Sequence, residues 1–160
     1  MTVIAYSSRH RVMAADSRCV DGLEYHLTMC QKVFRLKTGA LLGLAGDADA
    51  RDIVAILERT TPSRLPSRAR LSELQCAVAA LLVFPGGRVF RVTVAHVVQT
   101  NAWQAEAIEI SEPVVAIGSG AAYAYGALDH GASPAEAVQA ACRRDIYCAL
   151  PVQTQKLGSR

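Results

Sequence analysis

The sequence has no apolar run long enough to span a membrane and no signal-peptide pattern. We therefore expect a cytoplasmic protein with no membrane partner. None of its five cysteines (Cys19, Cys30, Cys76, Cys142, Cys148) forms a Cys-x-x-Cys pair, and their number is odd. This pattern favours a reducing compartment, with all five read as small apolar core residues. The four histidines, His10, His26, His96 and His130, show no ligand spacing, so neither a metal nor any other cofactor is expected. No Gly-x-x-x-x-Gly-Lys-Ser/Thr loop occurs, and any use of ATP would belong to a separate partner. Charge excludes a further class. The formal net charge is +3, and the only basic concentration is the stretch at 63–70, SRLPSRAR. That stretch reads as a solvated loop, and no nucleic acid is implied. Neither a linker nor an internal repeat interrupts the chain.

What is present is one domain's worth of chain, 160 residues, of which 51% are hydrophobic and 19% charged. This is slightly more apolar than an average soluble domain, as expected for a compact core or for surface buried against partner subunits. Residues 2–6 (TVIAY) and 11–15 (RVMAA) are β-prone runs separated by polar residues, and they read as a hairpin. KVFRL (32–36) and ALLGLA (40–45) read as a second hairpin turning at Lys37-Thr38-Gly39. Gly46-Asp47 then opens a helix with Ile53, Val54, Ile56 and Leu57 on one face, and Pro62 and Pro66 end it. A short helix is expected from about Ser72. The buried-type strand VAALLVF (78–84), the turn Pro85-Gly86-Gly87 and the alternating strand RVFRVTVAH follow. VVAIG (114–118) reads as a buried strand leading through Ser119-Gly120 into the helix AAYAYGALD. Ser133-Pro134-Ala135-Glu136 predicts a strong helix start, with a capping box and proline in the first turn. PVQTQKL (151–157) closes the chain as a strand. Strands, helices, strands, helices, strand is the order of an α+β architecture with helix layers on antiparallel sheets.

Thr2 follows the initiator methionine. Methionine is commonly removed before a small residue, and a threonine that begins a chain carries its own base, the α-amino group, beside its hydroxyl. That amine titrates near pH ~8, so part of it accepts protons at physiological pH. Met-Thr alone carries little information. The company of Asp16, Lys32, Gly46 and the Gly-Ser-Gly at 118–120 carries more.

With the blocks VMAADSR (12–18), QKVFRL (31–36), LLGLAGDADA (41–50), VAIGSGAAYAYGALDHG (115–131) and RDIY (144–147), the sequence resembles proteasome β-type subunits. These form the threonine-peptidase branch of the N-terminal-nucleophile hydrolases, and the chain is similar to the bacterial peptidase HslV and to the smaller proteasome homologues of some bacteria. The resemblance implies a single domain over 1–160 with a four-layer αββα sandwich, assembled into stacked homo-oligomeric rings around a chamber. It implies hydrolysis of peptides or unfolded proteins, with a separate ATP-dependent unfoldase ring for folded substrates. By position, Thr2 is the nucleophile, Asp16 holds Lys32, and Lys32 favours the alkoxide-like form of the hydroxyl. Gly46 offers a backbone N–H to the oxyanion, and Ser119 and Asp145 hydrogen-bond around the amino terminus. Cys19, Cys30 and Leu44 correspond to the lining of a specificity pocket, small and apolar here. Taken without the resemblance, each residue has an ordinary alternative: a turn or cap acid at Asp16, an exposed strand lysine at Lys32, a turn glycine at Gly46. Ser119 would be a helix N-cap, Asp145 a paired surface acid, and the pocket residues core packing.

Two departures from the family pattern matter. Thr2 lies two residues nearer to Asp16 than the family's nucleophile does. Either the hairpin has lost one residue from each arm, which preserves its pairing, or Met1 occupies the nucleophile's place. The segment 58–84 is also short, so ring size does not transfer. The alternatives to a threonine peptidase are a non-catalytic ring subunit that keeps Met1, and an amidohydrolase of small amides.

Overall fold

The computed structural model describes residues 2–21, 26–46 and 50–158. They fall into two compact units, one within Met1–Val33 and Glu112–Lys156, the other within Phe34–Ser111 and Leu157–Arg160.

The first unit is organised by β1 (Val3–Ser7), whose five residues are all buried. A strand buried on both faces belongs in the middle of a sheet. β1 lies between β2 (Val12–Ala15) and β10 (Val114–Gly118), with β11 (Gln153–Lys156) beyond β2, in the order β10-β1-β2-β11. All three pairings are antiparallel, and Ile4↔Ala15 through Ser7↔Val12 run without a break, so the short first hairpin keeps its full ladder. Helices α3 (Ala121–Asp129) and α4 (Pro134–Cys142) cover this sheet. Their contact is built largely from small side chains: Val3, Ala5, Ala14 and Ala116 meet Ala124, Leu128, Ala137, Val138 and Ala141. Alanines on both sides bring the helix axes close to the strands. The start of α4 is the predicted capping box, with the Ser133 N–H donating to Glu136 at 2.8 Å and the Glu136 N–H to Ser133 Oγ at 3.4 Å. Such a cap stabilises a helix by about 1 kcal/mol.

The unit also holds a hairpin that the sequence reading lacks, β3 (Arg18–Asp21) paired with β4 (His26–Met29). Its register sets Arg18 opposite Met29, and the Cys30 N–H donates to the Ser17 carbonyl at 3.1 Å. Cys19 and Cys30, two rungs apart across the Arg18–Met29 pair, form a disulfide with their Cα atoms 5.8 Å apart. This corrects the reading of all five cysteines as thiol core residues. Sequence spacing alone cannot pair residues whose proximity depends on an unrecognised hairpin. The cysteine pattern accordingly ceases to argue for a reducing compartment. Among the described residues, no helix is long and apolar enough to cross a membrane.

The second unit is a five-stranded sheet in the order β5 (Val33–Arg35), β6 (Leu41–Gly46), β7 (Val78–Val83), β8 (Val89–Val97), β9 (Ala102–Ile110). Leu42, Ala80, Leu82, Phe90, Val92 and Val94 form its core with Ile53 and Leu57 of α1 (Ala50–Leu57) and Leu71 of α2 (Arg68–Ser72). Two expectations change here. The helix expected to begin at Ser72 ends there, because Ser67 Oγ accepts the Arg70 N–H at 3.2 Å and caps the start inside the basic stretch. β9 was not expected at all. Its one buried residue is an alanine, Ala105, and Ile108 is exposed along with Glu106 and Glu109, so the alternation carries little hydrophobic contrast.

The disulfide has a direct chemical readout. Protein denatured without reductant will titrate three thiols, Cys76, Cys142 and Cys148. Reduction before denaturation will raise this to the full five of the sequence. Five thiols without reductant would remove the Cys19–Cys30 bond from the fold.

Candidate active site

Thr2 immediately precedes the central strand β1 and is 3% exposed. Its main chain is held by the loop joining β10 to α3. The Thr2 carbonyl accepts from the Gly120 N–H and the Ser119 hydroxyl, each at 3.3 Å, and the Thr2 nitrogen lies 3.3 Å from Ser119 Oγ as a donor. Two glycines permit this approach. Gly118 has φ +96°, and a Cβ there would lie 2.1 Å from the Thr2 carbonyl oxygen. A Cβ on Gly120 would meet Val3 at 2.9 Å and the Cys148 sulfur at 3.0 Å. Ser119 is not the N-cap of α3; Gly120 holds that position without a side-chain cap, and the serine hydroxyl faces Thr2 instead.

Asp16 follows β2 and is fully buried at 0% exposure. Its Oδ1 accepts the Lys32 ammonium at 2.8 Å and the Val3 N–H at 3.0 Å. Its Oδ2 accepts the Arg18 N–H at 3.0 Å and the Ala149 N–H at 3.3 Å. A carboxylate has about four lone-pair sites, and here each oxygen is used twice. That satisfaction is what makes a buried charge tolerable. Lys32, 4% exposed, is no surface strand residue.

Asp145 lies just beyond α4 and is buried, not a surface acid. Its Oδ1 accepts the Tyr147 N–H at 2.9 Å and its Oδ2 the Cys148 thiol at 3.3 Å. Burial works against its charge, yet the bonds from Tyr147, Ser119 and Cys148 outweigh burial and hold the carboxyl below the usual aspartate range. Burial, the charge of Asp16, and the bond and charge of Asp145 push the Cys148 thiol up to about 12. It therefore stays protonated and acts as a donor. Ser119 Oγ has a single proton facing two acceptors, the Thr2 carbonyl and the Asp145 carboxylate. It links the Thr2 nitrogen to a buried anion, an arrangement able to pass a proton along hydroxyl and carboxylate.

Five of the residues singled out from sequence thus gather in the first unit: Thr2, Asp16, Lys32, Ser119 and Asp145. Met1 lies outside the described residues. Gly46 ends β6 in the second unit, opposite Val78, with φ +127° and no room for a Cβ, which would lie 2.2 Å from the Ala77 carbonyl oxygen. Close backbone approach by itself requires glycine there; residues 47–49, where the expected helix start falls, lie outside the described residues. Leu44, also on β6, packs against the core of the second unit. Cys19 and Cys30 present one disulfide where two small thiols were expected. Sequence reasoning missed Cys148. Nothing in the sequence singles it out, since a cysteine three residues after an aspartate is not a motif. Among the described residues, no cluster of His, Cys, Asp and Glu is arranged to hold a metal.

Two measurements test this geometry. Gly118→Ala will destabilise the protein by at least about 2 kcal/mol, since it adds both φ strain and a clash. Gly126→Ala, in α3 with nothing within 4 Å of the new Cβ, will stabilise it by up to about 1 kcal/mol. Equal denaturation midpoints for the two variants would contradict the Thr2 clamp. The depressed Asp145 contributes stability that is present above the ordinary aspartate value and is lost as pH falls through its folded value. The stability gap between wild type and Asp145→Asn will therefore narrow below about pH 4; a gap constant from pH 7 to pH 3 would contradict it.

No family model matches the sequence, and no curated protein matches it either. Solved structures do match. Thiobacillus denitrificans BPH, in complex with epoxomicin, superposes with a TM-score of 0.63 at 18% identity, over 98% of this chain and 100% of its own. A second structure of Thiobacillus denitrificans BPH gives 0.59 at 18% identity, covering 98% of both chains. Anbu (ancestral beta-subunit) from Yersinia bercovieri gives 0.62 at 16% identity, over 97% of this chain and 80% of its own. Likeness at such identities is likeness of fold alone: two antiparallel sheets flanked by helices, the α+β class expected from the sequence and of the αββα type found in N-terminal-nucleophile hydrolases.

Proposed function

We propose that the protein is a threonine-type peptidase whose nucleophile is Thr2, exposed by removal of Met1. One observation carries the reading: the Thr2 main chain is clamped by Ser119 and Gly120 while the adjoining Val3 N–H is tied to the buried Asp16–Lys32 pair. In that reading the freed α-amine takes the proton of the Thr2 hydroxyl as Oγ attacks the scissile carbonyl. Collapse of the tetrahedral intermediate expels the amine half of the peptide, which receives that proton. An ester to Thr2 remains. Water then attacks the ester, the α-amine again accepts the proton, and return of that proton to Oγ releases the acid. Lys32 favours the negative charge on Oγ, and Ser119 and Asp145 hold the amine in place. The roles that the resemblance gives to Gly46 as an oxyanion donor and to Leu44 and the Cys19–Cys30 pair as pocket lining belong to the same proposal. So do the homo-oligomeric rings, the cytoplasmic setting and the separate ATP-driven unfoldase for folded substrates.

The experiment pairs intact mass with covalent labelling. Purified protein will lack Met1, will hydrolyse short unstructured peptides, and will gain the mass of epoxomicin, the ligand in the BPH complex, on its N-terminal peptide. Thr2→Ala will lose hydrolysis by at least about 10³-fold, the usual scale for loss of a nucleophile. Met1 retained in every molecule would favour a non-catalytic ring subunit. Failure on peptides with turnover of a small amide would favour an amidohydrolase.

A further inference from the structure

β11 places Gln153 opposite Ala15, the residue before Asp16. Its amide joins three points of the chain on either side of the Asp16–Lys32 pair. Oε1 accepts the Lys32 backbone N–H at 2.9 Å. Nε2 donates to Ser17 Oγ at 2.8 Å and to the Cys30 carbonyl. The partners fix which way the amide points. The Ser17 hydroxyl gives its proton to the Pro151 carbonyl at 2.7 Å, so toward Gln153 it can only accept. The Lys32 N–H can only donate, and the Cys30 carbonyl can only accept. A flipped amide would face a donor with a donor and two acceptors with an oxygen.

We infer that Gln153 is a positioning residue for the Asp16–Lys32 pair. It acts through the backbone of Lys32 and the side chain of Ser17, and touches neither charged group. A lysine stem has four carbons and many rotamers, so an ammonium 2.8 Å from Asp16 Oδ1 needs its backbone anchored as well as an attractive partner. The Cys19–Cys30 disulfide and the Cys30 N–H bond to Ser17 fasten one end of the 30–32 strip, and Gln153 fastens the other. No other residue type combines this reach with an acceptor and two donors on one planar group. Methionine matches its length without the amide, and asparagine is one carbon short.

The catalytic consequence rests on the peptidase reading, and the test separates the two. Gln153→Met is compared with Thr154→Ala, an exposed neighbour on the same strand. Amide hydrogen exchange at Lys32, followed by NMR, will speed up at least about tenfold in Gln153→Met while the β1 amides stay protected. In peptide hydrolysis kcat will fall about tenfold, ~1.4 kcal/mol of transition-state stabilisation, with KM within about twofold. Thr154→Ala will change neither. Ser17→Ala, which removes one of the three partners, will give a smaller loss in the same direction and serves if Gln153→Met does not fold. Unchanged Lys32 exchange in Gln153→Met overturns the proposal, and so does faster exchange with unchanged kcat. Wild-type protein that cleaves no peptide overturns the peptidase reading, and the exchange measurement then decides the role of Gln153 alone.

Discussion

The first unit is arranged around one carboxylate. Asp16 is wholly enclosed, and its two oxygens take hydrogen bonds from the backbone at Val3, Arg18 and Ala149 and from the Lys32 ammonium. These donors come from chain segments far apart in sequence. Each must arrive at the right distance, because a buried charge that loses its counter-charge costs about 3–5 kcal/mol, a large part of a typical domain's stability. The carboxylate therefore acts as a structural centre as well as a neighbour of the proposed chemistry. It fixes the start of β1 through Val3, the loop after α4 through Ala149, and the entry to β3 through Arg18. A gradual drift of any one of these would leave a donor or an acceptor unpaired.

Glycine and alanine do complementary work around that centre. Gly118 and Gly120 let a loop come against the main chain of Thr2 at distances that a side chain would forbid. Ala5, Ala14, Ala116, Ala137 and Ala141 let two helices settle close above the sheet. The cost of this economy is a core with few large side chains in the helix–sheet layer, so polar contacts and helix caps carry more of the specification than usual. The capping box at Ser133–Glu136 is one such contact, and it sets where α4 begins and hence where Asp145 falls at its end.

Much of this was legible in the residues. The hydrophobic run of β1, the Gly-Ser-Gly turn and the capping box each have local signatures, and each appears where the sequence places it. The gathering of Thr2, Asp16, Lys32, Ser119 and Asp145 was legible only through the order and spacing of the blocks, because no local rule makes a lysine buried or an acid paired. What stayed hidden depends on partners distant in sequence. The Cys19–Cys30 bond needed the β3–β4 hairpin, whose strands are only four residues each. β9 has alanine where a core residue would announce a strand. Gln153 and Cys148 owe their roles wholly to what surrounds them, and neither residue type advertises a role. The misplaced helix start at Ser72 was an error of a different kind, since two serines compete as caps and the earlier one, Ser67, wins.

The hydrogen bonds that locate Thr2 run through its backbone nitrogen and carbonyl, not through its hydroxyl. The scaffold thus presents a main-chain position, and a smaller side chain can stand on it in the same enclosed space without removing a bond of the clamp. Architecture and reactivity are therefore separable by a single codon. A lineage that duplicates such a gene can change this position in one copy and keep the fold, so that, under the proposed chemistry, reactive and purely structural descendants of one ancestor are within a single mutational step of each other.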